Sequence, residues 1–509
     1  MKKQLRTFAL ILAMILAFGL LAGCGGKGSA GDGKALTVGT LQTANSFDPL
    51  SSENDVTHFL VYDPILRLDG ETMEIKPGLA EAWNWVDDTH LELTIREGVK
   101  FSNGETLTPE DVLYTIWRAT YVNDQYTKDN SLTRIDLDAC TIDGNKLTLV
   151  YKEVCANALS HLTMRFACVM NKKYAESCTE QDFWDKPVGT GPYTLVENVS
   201  GSHSSYTRRD DYWGAKPEAK EIRINYYGEA STMYVDMETG AIDIAINVAT
   251  NDAERAMKGE TEGVKYKLVS TRDLIFVSLP EYMEVYDDIR VRQAVAYGLD
   301  AEAITKALYG DLAEVADSTI IKGLKYYESQ GIYEYNPEKS KQLLAEAGYK
   351  DGDISLRMIA PLTPTNSKFG EAVQSYMRDI GIETSVEILD FPIAIPMLMN
   401  NECELALASL NGGMCDPADI YSQHSENSTN GSTKSNDATI NGYITAGRST
   451  VDDARRQEAY SAAQKWDHEN FRWLPICYPQ SCLVYSDKLN DVPVCGYLSP
   501  YLAEVTFVK

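Results

Sequence analysis

The sequence predicts an α/β protein in which helices cover sheets, and two kinds of signal in it predict that class. Short runs of period-two alternation mark strands, and between them lie segments with helix caps and a helical apolar stripe. Leu91, Leu93 and Ile95 alternate as a half-buried strand. "TIDGNKLTLVY", from Thr141, reads as a hairpin turning at Gly144-Asn145, residues that tolerate the left-handed backbone such turns need. Ile242, Ile244 and Ile246 predict a further alternating strand after a glycine turn. Thr108-Pro109-Glu110-Asp111 supplies a cap, a proline at the first helical position and early acids, ahead of Val112, Leu113, Ile116 and Trp117 on one face. Asn336-Pro337-Glu338 opens a second helix, with Leu343, Leu344 and Ala347 inward and Gly348 closing it. A third is predicted over about Lys368 to Ile380, closed by Gly381 and followed by a strand through Val386 and Ile388. Ser425 to Asp437, "SENSTNGSTKSND", reads as a solvated loop.

The chain has 509 residues, too many for one ordinary core, so two or three domains are expected. Its 44% hydrophobic and 24% charged residues are an ordinary globular balance. A net charge of −27 excludes nucleic acid as a partner and argues against electrostatic adhesion to an anionic membrane. The first residues set an address. Lys2, Lys3 and Arg6 precede an apolar run from Phe8 to Leu21, shorter than a membrane span and suited to the core of a secretory signal, residues 1–23. The run ends in Leu21-Ala22-Gly23-Cys24, which resembles the lipobox of bacterial lipoproteins, with Cys24 as the lipid attachment site. Residues 24–35, rich in Gly and Ser, read as a tether holding a folded body above the membrane. Gly28 and Gly33-Lys34 nearly spell a phosphate loop, but Ala35 stands where Ser or Thr would meet magnesium and no strand precedes it. The expected location is therefore extracytoplasmic, on the outer face of the cytoplasmic membrane.

No catalytic kit is visible. No G-x-S-x-G elbow occurs, and no two of the six histidines lie close enough in sequence to suggest a metal pair. The nine cysteines beyond Cys24 show no C-x-x-C spacing, and an odd number cannot all pair within one chain. Asp87-Asp88 and Asp210-Asp211 sit in turn-like contexts and read as turn formers. Thirty tyrosines and seven tryptophans supply amphipathic surface of the kind that lines ligand clefts. These features favour binding over catalysis, with neither cofactor nor metal implied.

From Val61 to Ala119 the chain reads "VYDPILRLDGETMEIKPGLAEAWNWVDDTHLELTIREGVKFSNGETLTPEDVLYTIWRA". "PVGTGPYTLVEN" from Pro187, "RRDDYWGAKPEAKEIRI" from Arg208, "ETGAIDIAI", "DIRVRQAVAYGLDAEAITKALYGD" and "YNPEKSKQLLAEAGYKDG" follow in that order. These six signatures span nearly the whole mature chain. They resemble the peptide/nickel family of solute-binding proteins, the extracellular receptors of ABC importers of the oligopeptide- and dipeptide-binding type. Each also has a physical reading: Pro77-Gly78 turns to present Leu79 and Trp83 to a core, and Gly189 and Gly191 permit unusual backbone angles before Pro192.

The resemblance implies a two-lobed periplasmic-binding-protein-like fold of type II, the large peptide-binding class, with a hinge and an extra subdomain. Lobe I would comprise 36–59, 188–272 and 478–509, its extra subdomain 60–187, and lobe II 273–477. The implied ligand segments are Thr43, Ala44, Asn45 and Ser46 on one lobe and Leu410, Asn411, Gly412, Gly413, Met414 and Asp416 on the other, while Phe47 and Asp48 hold the first loop's own fold. Peptide binders resemble G-W-x-x-D-x-x-D/E-P at the second segment. Laying Asp416-Pro417 on the final pair puts Gly413 where the ammonium-binding acid stands and Leu410 where the aromatic stands. Ala360 falls where dipeptide receptors carry an arginine for the ligand carboxylate, with Arg357 and Asp416 the nearest substitutes. Gly412-Gly413 then either lets the backbone approach a ligand or makes a turn. The implied function is capture of a solute, a peptide or peptide-like compound, and its delivery to a permease with its ATPases by a monomeric receptor. The alternatives are the same role for a sugar, chelated metal or other organic ligand, a secreted hydrolase, or a sensory lipoprotein.

Overall fold

The computed structural model describes residues 34–50, 55–121, 131–411, 416–494 and 499–509. A continuous twelve-stranded mixed sheet runs through it. Its path passes, in order, through Ile382–Leu389, Ile354–Pro361, Leu405–Asn411, Asp273–Ser278, Trp473–Ser486, Ile244–Ala245, Lys34–Thr40, Ala219–Tyr226, His203–Arg208 and Tyr193–Val199. The parallel pair Ile354–Pro361 and Ile382–Leu389 is joined by the helix Pro364–Asp379, which buries Phe369, Val373 and Met377 at four-residue spacing. That helix starts four residues before the predicted Lys368, because Thr363 accepts a hydrogen bond from the Asn366 N–H and Pro364 fits the first turn. The helix Pro337–Glu346 begins at its predicted cap, Asn336, and Gly348 and Gly381 take the left-handed backbone (φ +97° and +88°) expected at helix ends.

Two chain crossings tie the two halves of the sheet together. The fourteen-residue strand Trp473–Ser486 pairs at its start with Ile275–Ser278 and at its end with Val264–Ser270. The chain crosses a second time between Ser270 and Asp273, where buried Arg272 takes φ +53°. A left-handed arginine costs about 1 kcal/mol, so the kink is held by its surroundings. Each half has its own apolar core. One gathers Leu36, Val38, Ile222 and Ile224 with Leu483 and Val492, and the other gathers Val277, Val295, Met358, Val373 and Leu474.

A separate antiparallel sheet, Ala80–Trp85, His90–Ile95, Lys146–Val150 and Thr141–Asp143, contains the predicted hairpin and buries Leu91, Leu93 and Ile95. The helix Pro109–Tyr121 packs on Ser131–Arg134, Arg165–Ala167 and Lys172–Ser177, its Asp111 carboxylate accepting from the Thr108 N–H and hydroxyl at 2.9 Å. Three expectations change here. Trp117 is 44% exposed, because the buried face is centred on Val112, Ile116 and Ala119 and Trp117 stacks instead on Tyr114 and Tyr121. Gly189 and Gly191 keep ordinary negative φ. Their glycine is required by close approach, since an added Cβ would lie 2.2 Å and 2.4 Å from the backbone of Val61. Of the predicted strand through Ile242 and Ile246, only Ile244–Ala245 pairs, although all three isoleucines are buried.

The polar stretch Ser425–Asp437 is not a solvated loop. Ser432, Thr433 and Ser435 are 2%, 2% and 0% exposed. The Thr433 carbonyl accepts from the Trp473 indole N–H at 3.0 Å, the Ser432 carbonyl from the Ser278 hydroxyl at 2.6 Å, and the Ser435 carbonyl from Asn441 at 2.8 Å. The stretch's own small polar side chains serve backbone too: the Thr433 hydroxyl donates to the Gln423 carbonyl at 3.0 Å, and Asn430 Oδ1 accepts from the Ser432 N–H at 3.2 Å.

His424 leads into this loop with Nδ1 2.9 Å from the Thr433 carbonyl and Nε2 3.0 Å from the buried Asp467 carboxylate. Burial opposes charge on the ring, but the Asp467 carboxylate outweighs it and raises the His424 pKa above the usual histidine value. A histidine raised in the folded state stabilises fully below its unfolded pKa of about 6.5, and that contribution is lost as pH rises through the higher folded value. Urea midpoints taken between pH 6 and 9 therefore fall with pH in the wild type, and less steeply in His424→Gln. Equal slopes for the two proteins would contradict this assignment. Six described cysteines, 140, 155, 178, 403, 477 and 482, are free thiols.

Candidate functional site

The loop after the first strand folds on its own side chains. Asp48 accepts from the Leu50 N–H at 3.1 Å and from Arg118 at 2.8 Å, the Ser46 hydroxyl accepts from the Asp48 N–H, and Phe47 is 1% exposed. Ser46 is thus spent on the loop. Buried Ala44 offers its carbonyl to Asn198 at 2.9 Å. Thr43 donates to Asn45 at 3.2 Å, and this pair keeps polar atoms at the surface. Ala44 and Asn45 line a cavity of about 640 Å³ whose other walls, including Lys186, Glu197 and Asn198, come from the same half of the molecule.

The second predicted segment begins on the strand Leu405–Asn411. Leu410 pairs with Leu274 across the ladder and is 7% exposed, packed into a core with Phe276 and Tyr421. Asn411 ends the strand opposite Asp273. Gly412, Gly413 and Met414 lie outside the described residues, as does Cys24. Asp416 caps the helix Pro417–Ser422 by accepting from the Ala418 N–H at 2.8 Å, and it pairs with Arg456 at 2.6 Å. Of the positions considered for a ligand carboxylate, Ala360 is fully buried, and Arg357 is held by both oxygens of Glu387 at 2.8 and 2.9 Å.

The two halves meet at a polar seam that sequence reasoning missed. Asn157 donates to Asp419 at 2.7 Å, and His161 Nε2 lies 3.3 Å from the same carboxylate. The Ser131 N–H donates to His161 Nδ1 at 2.8 Å, so in the neutral ring the proton sits on Nε2 and points at Asp419. Arg456 completes the seam by donating to the Ala156 carbonyl at 3.1 Å. These partners are separated by 258 to 300 residues. No spacing rule reaches that far. The one available signal was His161 itself, a polar residue in the apolar stretch "ALSHLTM".

Beside the seam lies a cavity of about 660 Å³ that both halves line. Trp83, Trp85 and Leu159 form one wall, and Leu324, Val451 and the Asp416–Arg456 pair face them. Among the described residues no group of three or more His, Cys, Asp or Glu could hold a metal ion. The charged groups of the seam are matched to one another, an arrangement that joins two bodies and encloses a volume between them.

Two cores tied by two chain crossings, with a cavity closed by both, define the class of two-lobed solute-binding proteins. The chain belongs to the bacterial extracellular solute-binding proteins, family 5, whose middle-region model matches residues 74–432, more than half of its length. It is 24% identical over 454 residues to the dipeptide-binding protein of Escherichia coli strain K12, covering 83% of this chain and 84% of that one. It is likewise 24% identical over 450 residues to heme-binding protein A of Haemophilus influenzae, covering 82% and 81%. Among solved structures, HbpA2 from Haemophilus parasuis superposes with a TM-score of 0.85 at 20% identity, over 94% of this chain and all of that one.

Proposed function

We propose that this protein is the receptor of an ABC importer that captures a peptide or peptide-like solute between its lobes and hands it to a membrane permease with its ATPases, without catalysing any reaction. The observation that carries the reading is the cavity lined by both lobes in a family 5 fold. Ligand that touches both walls only when the lobes meet binds the closed form better, and that difference in affinity is what closes the protein. In this reading residues 36–59, 188–272 and 478–509 form lobe I with the subdomain 60–187, residues 273–477 form lobe II, and Cys24 carries the lipid that holds the monomer at the outer face of the membrane. Of the described candidate residues, Asp416 in its pair with Arg456 lines that cavity, while Ala44 and Asn45 line a separate one on lobe I and Leu410 sits in the core behind the strand.

A non-peptide solute is the second reading, favoured by one observation: Asp416 and Arg357, the charges nearest to where peptide termini would be read, are already engaged by Arg456 and Glu387. Free dipeptides are accordingly expected to raise the melting temperature little. A ligand at a hundred times its Kd stabilises by about 2.7 kcal/mol, so a true ligand stands out in the same assay. Native mass spectrometry of gently purified protein, denatured to release its cargo, tests the main reading. Short peptides support it, a single non-peptide mass supports the second reading, and the absence of any cargo or binding to extracellular solute pools overturns both.

A further inference from the structure

We propose that the seam cavity accepts an uncharged, ring-bearing group of the solute and rejects an anionic one. The inference rests on the receptor reading above and adds the chemistry that the cavity selects.

The wall on the subdomain side follows from strand geometry. Trp83 and Trp85 are two residues apart on Ala80–Trp85, so both rings leave the same face. Both are only partly buried and line the cavity, leaving indole surface for another apolar group to cover. Leu159 extends this wall, and Leu324 and Val451 oppose it from the other lobe. A flat ring between them would be in contact with both lobes at once, the geometry in which aromatic groups gain most from stacking and burial.

The charges on the facing lobe are spent. Arg456 is held by Asp416 at 2.6 Å, Lys325 by Asp453 at 2.6 Å, and Asp453 also accepts from the Tyr326 hydroxyl at 2.8 Å. Glu74, the remaining charged lining residue, stands exposed on the subdomain side. A carboxylate entering the cavity would give up water without finding an unpaired cation in the lining, or would have to break an existing pair, whereas an ammonium could reach the exposed Glu74. A neutral ring incurs neither cost. The cavity therefore discriminates against an anion, because its lining carries three carboxylates against two paired cations, and by shape through the two indoles.

The test uses one ring with three charges: 5-fluoroindole, 5-fluorotryptamine and 5-fluoroindole-3-acetate, titrated into the full-length protein and followed by fluorine NMR. Neutral 5-fluoroindole is expected to bind at least roughly tenfold more tightly than 5-fluoroindole-3-acetate, the equivalent of about 1.4 kcal/mol, with the cationic 5-fluorotryptamine ahead of the acetate. Trp83→Ala and Trp85→Ala should each weaken its binding several-fold. Val451→Ser, on the opposite lobe and away from the core, should do so too, and it keeps the test decisive if a tryptophan variant fails to fold. Equal binding of the three probes, or unchanged 5-fluoroindole binding in a folded Val451→Ser or tryptophan variant, overturns the inference. The receptor reading fails separately: wild-type protein that follows the fluoroindole pattern but captures no solute in native mass spectrometry would lose its proposed function and keep its cavity chemistry.

Discussion

Replacing Arg456 by methionine lowers the stability of the folded protein by about 3 kcal/mol, because it leaves a largely buried carboxylate without its partner. The Arg456 and Asp416 side chains are 5% and 9% exposed and 2.6 Å apart. Arg456 also donates to the Gly447 carbonyl at 3.0 Å and to the Ala156 carbonyl across the seam, with its guanidinium over the Tyr326 and Tyr460 rings. A methionine fills much of the volume but leaves Asp416 charged and two carbonyls unpaired. The double variant Asp416→Asn with Arg456→Met should recover a substantial part of the loss, since the asparagine can still cap the helix Pro417–Ser422 without a buried charge. Urea denaturation of the two variants and the wild type measures this directly. A single variant within about 0.5 kcal/mol of wild type would show that the pair is not a buried one.

The second large effect is at Gly191. An alanine there places a methyl 2.4 Å from the Val61 carbonyl carbon and 2.6 Å from its oxygen, where the Gly191 N–H already donates to that oxygen at 2.8 Å. Both obstacles are backbone, so no rotamer change relieves them, and the segment 189–192 and the helix Asp55–Val61 must separate. Overpacking of this kind costs about 3 kcal/mol. Gly201→Ala is the control of opposite character. Its φ is +68° with nothing within 4 Å, so it carries a left-handed-backbone cost of about 1 kcal/mol and no clash. Gly191→Ala melting no lower than Gly201→Ala would remove the close-approach explanation.

How much of this was legible depended on the range of the interaction. The caps at Asn336 and Thr108 and the hairpin at Gly144-Asn145 were readable because the residues that form them lie within a few positions of one another. The inward turn of Trp117 was misread because helical spacing gives a stripe but not its centre, and the centre is set by what packs against it. The Ser425–Asp437 loop was misread for the complementary reason. Serine, threonine and asparagine satisfy water and buried carbonyls equally well, and composition does not say which they meet. In the candidate site, Asp48 was read correctly as support because its hydrogen bonds to the next turn are local. Asp416, read as a ligand-segment residue, also holds Arg456, a partner forty residues away that no local pattern announces.

By itself the sequence determined the class: the strand and helix periodicities, the caps and the ordered family signatures specify a two-lobed solute-binding protein, since each of those signals is local or a matter of order along the chain. Only the tertiary structure decided which charges remain free for a solute. Asp416 with Arg456, Arg357 with Glu387, and Asp419 with Asn157 and His161 are pairs made across 30 to 262 residues. Whether a carboxylate meets a guanidinium or a ligand depends on where the folded chain brings that guanidinium. That same convergence, two indoles from one lobe facing Leu324 and Val451 of the other, is what turns the seam into a cavity with a chemical preference.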